Sequence, residues 1–329
     1  MCLSREREKE SLSPVTAMND TLRKGRVRGH LFLAALLLLS TASCAGKSPE
    51  ALSASHLEAI RHNQSGIKAE ARGENPRALE EFSEALRINS SIENSEGIIV
   101  ALVNISRVHR RIGDAKAALA MVSRALPRVI PSAPLYPEVA FEMAQVQLLS
   151  GDLNASSEWA SNAVAADTGS QRGMRINLLA RILFLKGKLT EAEIKVREAL
   201  LLNRENGLRG EEANSLRTLG DIQSAGKRHA EAAEYYNQAL AIDKTVGRSR
   251  KIAADLRALA ALALLHGDSD EALGFYRRAF TVNSTGGDLS GAAEDLLNMS
   301  RIHGKRGEKE LSERLLAERD NLLRNLRTP

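Results

Sequence analysis

One helical face recurs along this chain, and that recurrence restricts the fold more than any other feature. The segments ENPRALEEFSEALRIN, DAKAALAMVSRALPRV, KLTEAEIKVREALLLN, RHAEAAEYYNQALAID and DSDEALGFYRRAFTVN each place Ala, a large apolar residue and Ala at i, i+4 and i+7. That spacing is one stripe of an α-helix. Followed along the chain, the register reads Ala78, Ala118, Ser156, Ala192, Ala232, Ala272 and Ser312, with steps of 40, 38, 36, 40, 40 and 40 residues. Seven units result.

A second small register lies twelve residues upstream: Gly66, Ser106, Ala144, Ala180, Gly220, Ala260 and Ser300. Between the two stands a glycine, namely Gly73, Gly113, Gly151, Gly187, Gly226, Gly267 and Gly307, suited to the left-handed turn that ends a helix. Two antiparallel helices approach closely only where the crossing residues are small, and a large neighbour fills the space beside the contact. No such pair buries its apolar face alone, so successive pairs stack into one continuous core. The chain is rich in Ala and Leu with only 3% aromatics, which agrees with an all-α architecture.

Small at the first-helix crossing, Gly in the turn, then Ala, a large residue and Ala on the second helix: this pattern resembles the tetratricopeptide repeat family over about residues 52–326. The repeat length near 40, with junctions such as KTVGRSRKIA and NSTGGDLSGAA, looks like the longer repeats of kinesin light chains. The resemblance implies an α-solenoid, a right-handed superhelix of about seven helix-turn-helix repeats. Repeat three departs most, with Ser156 and Ala160 on the second helix and Trp159 beside them.

Pro127, Pro131, Pro134 and Pro137 are expected to stop the final helix of the second unit and extend the chain before the third. Arg319, where other repeats have Ala, marks the last helix as a divergent cap.

Ahead of the repeats, Arg23, Lys24, Arg26 and Arg28 precede the apolar run Leu31 to Leu39 and the small residues Ser40 to Ser43. This is the three-part layout of a signal peptide, and the run is shorter than the roughly 20 residues a membrane span needs. TASC followed by Ala45 and Gly46 resembles a bacterial lipobox, with Thr41 where Leu is usual, and implies lipid attachment at Cys44. Cleavage after an A-x-A-like site is the other reading. The expected division is 1–43 signal peptide region, with 1–17 attributed to an upstream start codon because Met18 gives a shorter leader. Residues 44–51 form the lipidated cysteine and a short linker, in which Ser48 and Pro49 suit a helix start, and 52–329 form the solenoid. Ala45 is not the acidic residue associated with inner-membrane retention, so the resemblance implies the outer membrane, facing the periplasm.

Several function classes are disfavoured. Residues 1–43 carry seven Lys/Arg and four Asp/Glu, which leaves 39 basic and 37 acidic residues from Cys44 on, no electrostatic footprint for nucleic acid. The two cysteines, Cys2 and Cys44, build no disulfide framework or zinc site within the mature chain. The histidines have no ligand spacing, and His109 and His303 read as packed residues at a place the family usually gives to Tyr. No phosphate loop or nucleophile motif occurs, and no cofactor or small-molecule substrate is expected.

In the resembled family the first helices line the concave surface. By register this places Arg107, Arg110, Arg181, Arg217, Arg257 and Arg301 on or near a groove, beside Asn104, Asn177, Asn214 and Asn298. Arg pairs carboxylates bidentately and Asn hydrogen-bonds an extended backbone, so one reading is a groove for a partly acidic peptide or a C-terminal carboxylate. The other is that these are solvated charges on amphipathic helices. The function implied is a membrane-anchored, non-catalytic adaptor for an envelope complex. The alternatives are a homo-oligomerising spacer or an activator of a cell-wall enzyme.

Overall fold

The computed structural model describes residues 52–325; Cys44, the leader and the start at Ser48 and Pro49 lie outside them. The first described helix, α1, spans Ala54–Arg72, and Ser53 caps it by accepting the His56 N–H at 3.3 Å. There follow α2 (Asn75–Ser91), α3 (Ser95–Arg111), α4 (Ala115–Ala125), α5 (Tyr136–Leu149), α6 (Leu153–Ala166) and α7 (Arg172–Leu185). The C-terminal half continues with α8 (Leu189–Glu205), α9 (Arg209–Ala225), α10 (His229–Val246), α11 (Ser249–Leu265), α12 (Ser269–Thr285), α13 (Leu289–Lys305) and α14 (Lys309–Asn325). Odd and even helices pair into seven antiparallel hairpins, stacked in chain order.

Sequence chemistry fixes the turns. Gly113, Gly151, Gly267 and Gly287 take φ of 87°, 82°, 81° and 73°, and each is followed by an Asp. Asp114, Asp152, Asp268 and Asp288 accept the N–H groups of Ala117, Ala155, Glu271 and Gly291 at 2.9 to 3.0 Å. One Gly-Asp pair therefore closes a helix and opens the next.

From α8 onward every helix starts 20 residues after the last, at Leu189, Arg209, His229, Ser249, Ser269, Leu289 and Lys309. Turns within repeats and turns between them are three residues long throughout, except the two-residue turn between α10 and α11. One expected turn glycine differs: Gly226 has φ −77°, and Lys227 takes the left-handed place at φ 60°. The 20-residue rhythm sets that position, and a lysine happens to occupy it.

The proline-rich stretch divides its work. α4 ends at Ala125 and Pro127 sits in a 3-10 turn, Leu126–Arg128. Pro137 does not extend the break; it lies in the first turn of α5, where no N–H donor is needed.

Both small registers are core. Ala78, Ala118, Ser156, Ala192, Ala232 and Ala272 are fully buried, as are Ala85, Ala125, Ala163, Ala199, Ala239 and Ala279. The crossing is tightest where the second helix brings an aromatic ring: a Cβ at Gly66 would lie 2.5 Å from Phe82, and one at Gly220 2.5 Å from Tyr236. Where Ser replaces Ala, its hydroxyl is satisfied across the pair. Ser156 donates to the Ala144 carbonyl at 2.8 Å, and Ser300 and Ser312 exchange bonds with each other's carbonyls at 3.0 Å. Repeat three is anchored this way despite its weaker pattern. In α14, Arg319 is half-buried and pairs with Asp320, and none of residues 309–324 is fully buried.

Candidate functional site

First helices present a common face. Counted from the small crossing residue, the positions six and three before it and one after it recur along a depression of about 520 Å³. Glu138, Met174, Asn214 and Ala254 come from the first position, Phe141, Asn177 and Arg217 from the second, and Gln145, Arg181 and Asp221 from the third. Arg107 and Arg110 close one end, and Lys251 the other. Of the groove residues expected from the sequence, Arg107, Arg110, Asn177, Arg181, Asn214 and Arg217 are thus brought together. Asn104 lines a smaller neighbouring hollow with Arg107 and Glu138, while Arg257, Asn298 and Arg301 line neither.

Most of these cations already hold a carboxylate. Arg107 reaches Glu138 at 2.8 Å and Asn104 at 3.1 Å, and Asn104 donates to Asn63 of α1 at 2.7 Å. Arg110 forks onto Glu142, with Nε and Nη2 each 3.1 Å from a different oxygen, and Ser106 donates to the same carboxylate at 3.0 Å. Burial still raises the Glu142 carboxyl above its ordinary pKa, against the pull of Arg110. Arg217 binds Asp255 through Nε at 2.6 Å and also meets Asp243. Arg257 repeats the pattern one repeat on, reaching Glu294 at 2.9 Å and Asp295 at 3.6 Å. Asn214 donates to Glu211 and accepts from Arg217, and Asn298 accepts from Arg301. Arg217 and Arg257 therefore also staple one repeat to the next.

Two cations remain. Arg181 is exposed, and neither its side chain nor that of Lys251 forms an ion pair or hydrogen bond among the described residues. Burial, together with Arg217, Arg248 and Arg181, pushes the Lys251 ammonium down to about 8. Beside them, Asp221 accepts the Tyr236 hydroxyl at 2.8 Å, and burial raises its carboxyl. Sequence reasoning passed over Lys251 and Asp221. Lys251 sits in the first turn of α11, a place the groove register did not cover, and its nearness to Arg181 depends on how the repeats stack.

No group of three or more His, Cys, Asp or Glu suited to a metal occurs among the described residues. His303 pairs with Glu308, while His229 and His266 meet edge to face with ring centroids 5.5 Å apart. No described helix is long and apolar enough to cross a membrane.

The family model of the tetratricopeptide repeat matches residues 174–245, the stretch from α7 to α10 that carries half of this depression. Those residues are of tetratricopeptide-repeat type. Solved structures of the same fold extend the likeness along the array. A Rap protein in complex with competence and sporulation factor shares 12% identity over 81% of this chain and 76% of its own, with a TM-score of 0.62. Apo RapI shares 14% over 83% and 100%, with a TM-score of 0.60. The pilF protein of Pseudomonas aeruginosa shares 16% over 69% and 92%, with a TM-score of 0.50. A search of the curated proteins finds no match. In this array the depression spans the first helices of five repeats, α3 to α11.

Proposed function

We propose that this tetratricopeptide-repeat chain is a non-catalytic scaffold, anchored to the cell envelope through a lipid on Cys44, whose groove holds an extended segment of a partner protein by a carboxylate. The observation that carries this reading is the pairing pattern of the groove. Arg107, Arg110 and Arg217 are neutralised by ion pairs within the array, whereas Arg181 and Lys251 line the same depression without an ion pair, near the single carboxylate of Asp221. An acidic side chain or C-terminal carboxylate between them would relieve the repulsion that depresses Lys251 and gain charge-assisted hydrogen bonds. A Rap protein of this fold was solved with a factor bound, in keeping with a ligand-holding role. The envelope location rests on the leader and the lipobox-like TASC sequence.

A photo-crosslinker at Met174, in the groove, tests this in cells. Arg181→Glu with Lys251→Glu should abolish a crosslinked partner while leaving helical content unchanged, and capture should weaken as pH rises past about 8. Retained capture in the double variant overturns the reading. Recovery of the chain alone favours a self-assembling spacer.

A further inference from the structure

At the N-terminal end of the array, α1 exposes an apolar strip that no described element covers. Leu57, Ile60 and Ile67 are 50%, 43% and 47% exposed. With Gln64 and Ala71 they occupy an arc of roughly 80° on the helix, at 3.6 residues per turn. Along one edge of this arc run Arg61 and Lys68, both exposed and without a carboxylate contact among the described residues. Glu70 of the same helix is turned away and held by Arg111 at 3.3 Å.

Register shows what this face is. Two residues after the small crossing residue, later repeats place Val108, Val146, Ile182, Ile222, Leu262 and Ile302, all buried. In those repeats this position packs on the preceding pair. In the first repeat the same position is Lys68. Another helix stacked here would bury Lys68 and Arg61 and would have to bring carboxylates of its own to neutralise them. A layer of anionic headgroups would neutralise them while the adjoining acyl boundary took up Leu57, Ile60 and Ile67.

We infer that α1 lies flat on an anionic phospholipid surface and sets the array end-on to the membrane. This rests on the Cys44 anchor proposed above. Cys44 is nine residues before Ser53, and even a fully extended chain confines the start of α1 to within roughly 30 Å of the lipid. That tether supplies the local concentration a weak interfacial helix needs.

The test uses the full chain as isolated from cells, carrying Ile60→Trp in a Trp159→Phe background. Intact mass reads acylation at Cys44, and quenching by brominated phosphatidylglycerol vesicles reads contact at position 60. Roughly half or more of the emission should be quenched, with loss of quenching in Arg61→Glu/Lys68→Glu and in phosphatidylcholine-only vesicles. An acylated chain whose indole stays unquenched overturns the inference and leaves the anchor standing. A non-acylated chain that is quenched does the reverse. An indole shielded without vesicles, in a particle of doubled mass, overturns the inference in favour of a second copy.

Discussion

Arg217 of α9 grips Asp255 of α11, its Nε 2.6 Å from Oδ1 and its Nη2 3.1 Å from Oδ2, so that a guanidinium of one repeat is fixed by the next. Asp243 meets the same guanidinium, and both aspartates are fully buried. Arg217→Glu is therefore expected to destabilise the array by about 3–5 kcal/mol, because it leaves two buried carboxylates uncompensated. Thermal unfolding followed by circular dichroism measures this. Arg217→Met combined with Asp255→Leu should cost less than the two single changes added together.

Asp255 and Asp295 are both raised to about 6, chiefly by burial, from an ordinary value of 3.8. Between roughly pH 4 and 6 the folded chain holds these protons while the unfolded chain has lost them. Their contribution to stability thus falls as pH rises through that window. Asp295→Asn should raise stability at pH 7.5 by about 1–2 kcal/mol and flatten the dependence between pH 4 and 6, as urea titrations across that range would read. An unchanged slope in the variant would show that Asp295 titrates normally.

Gly220 lies under the Tyr236 ring, and a Cβ there would stand 2.5 Å from it. Gly220→Ala is expected to cost about 1–3 kcal/mol by overpacking. The same change in a Tyr236→Leu background should cost much less. Melting temperatures of the four proteins in this cycle decide it.

Lys227 holds a left-handed backbone, φ 60°, where the equivalent turns carry glycine. Lys227→Gly should stabilise by roughly 0.5–1 kcal/mol, since relief of the Cβ clash exceeds the added freedom of the unfolded chain. Chemical denaturation midpoints are the readout, and a lower midpoint would refute the strain at this turn.

The repeat was legible because its marks are local. Ala78, Ala85 and their counterparts are small for a reason that lies within one hairpin, and the twelve-residue offset to Gly66 and Ser106 needs only helix geometry. The groove was legible in part, for the opposite reason. Whether Arg107 or Arg217 is free depends on what the next repeat brings to it, and that is set by stacking. A signal was nevertheless present: Arg217 and Asp255, then Arg257 and Asp295, each stand 38 residues apart, a spacing that marks a bridge between repeats. Lys251 had no such mark, because its depressed basicity comes from burial and from three arginines brought near it by stacking.

From Leu189 to Asn325 helix and turn together measure the same 20 residues, so this half of the protein is a ruler with equal graduations. Excising residues 229–268 would join Arg228 to Ser269, replacing one turn by another of the same length. The ruler would be two graduations shorter with both ends unaltered. The N-terminal half, graduated at 40, 38 and 36 residues, keeps such an interval only from Asn75 to Ala115. Reach is adjustable in most steps from the C-terminal side of this molecule.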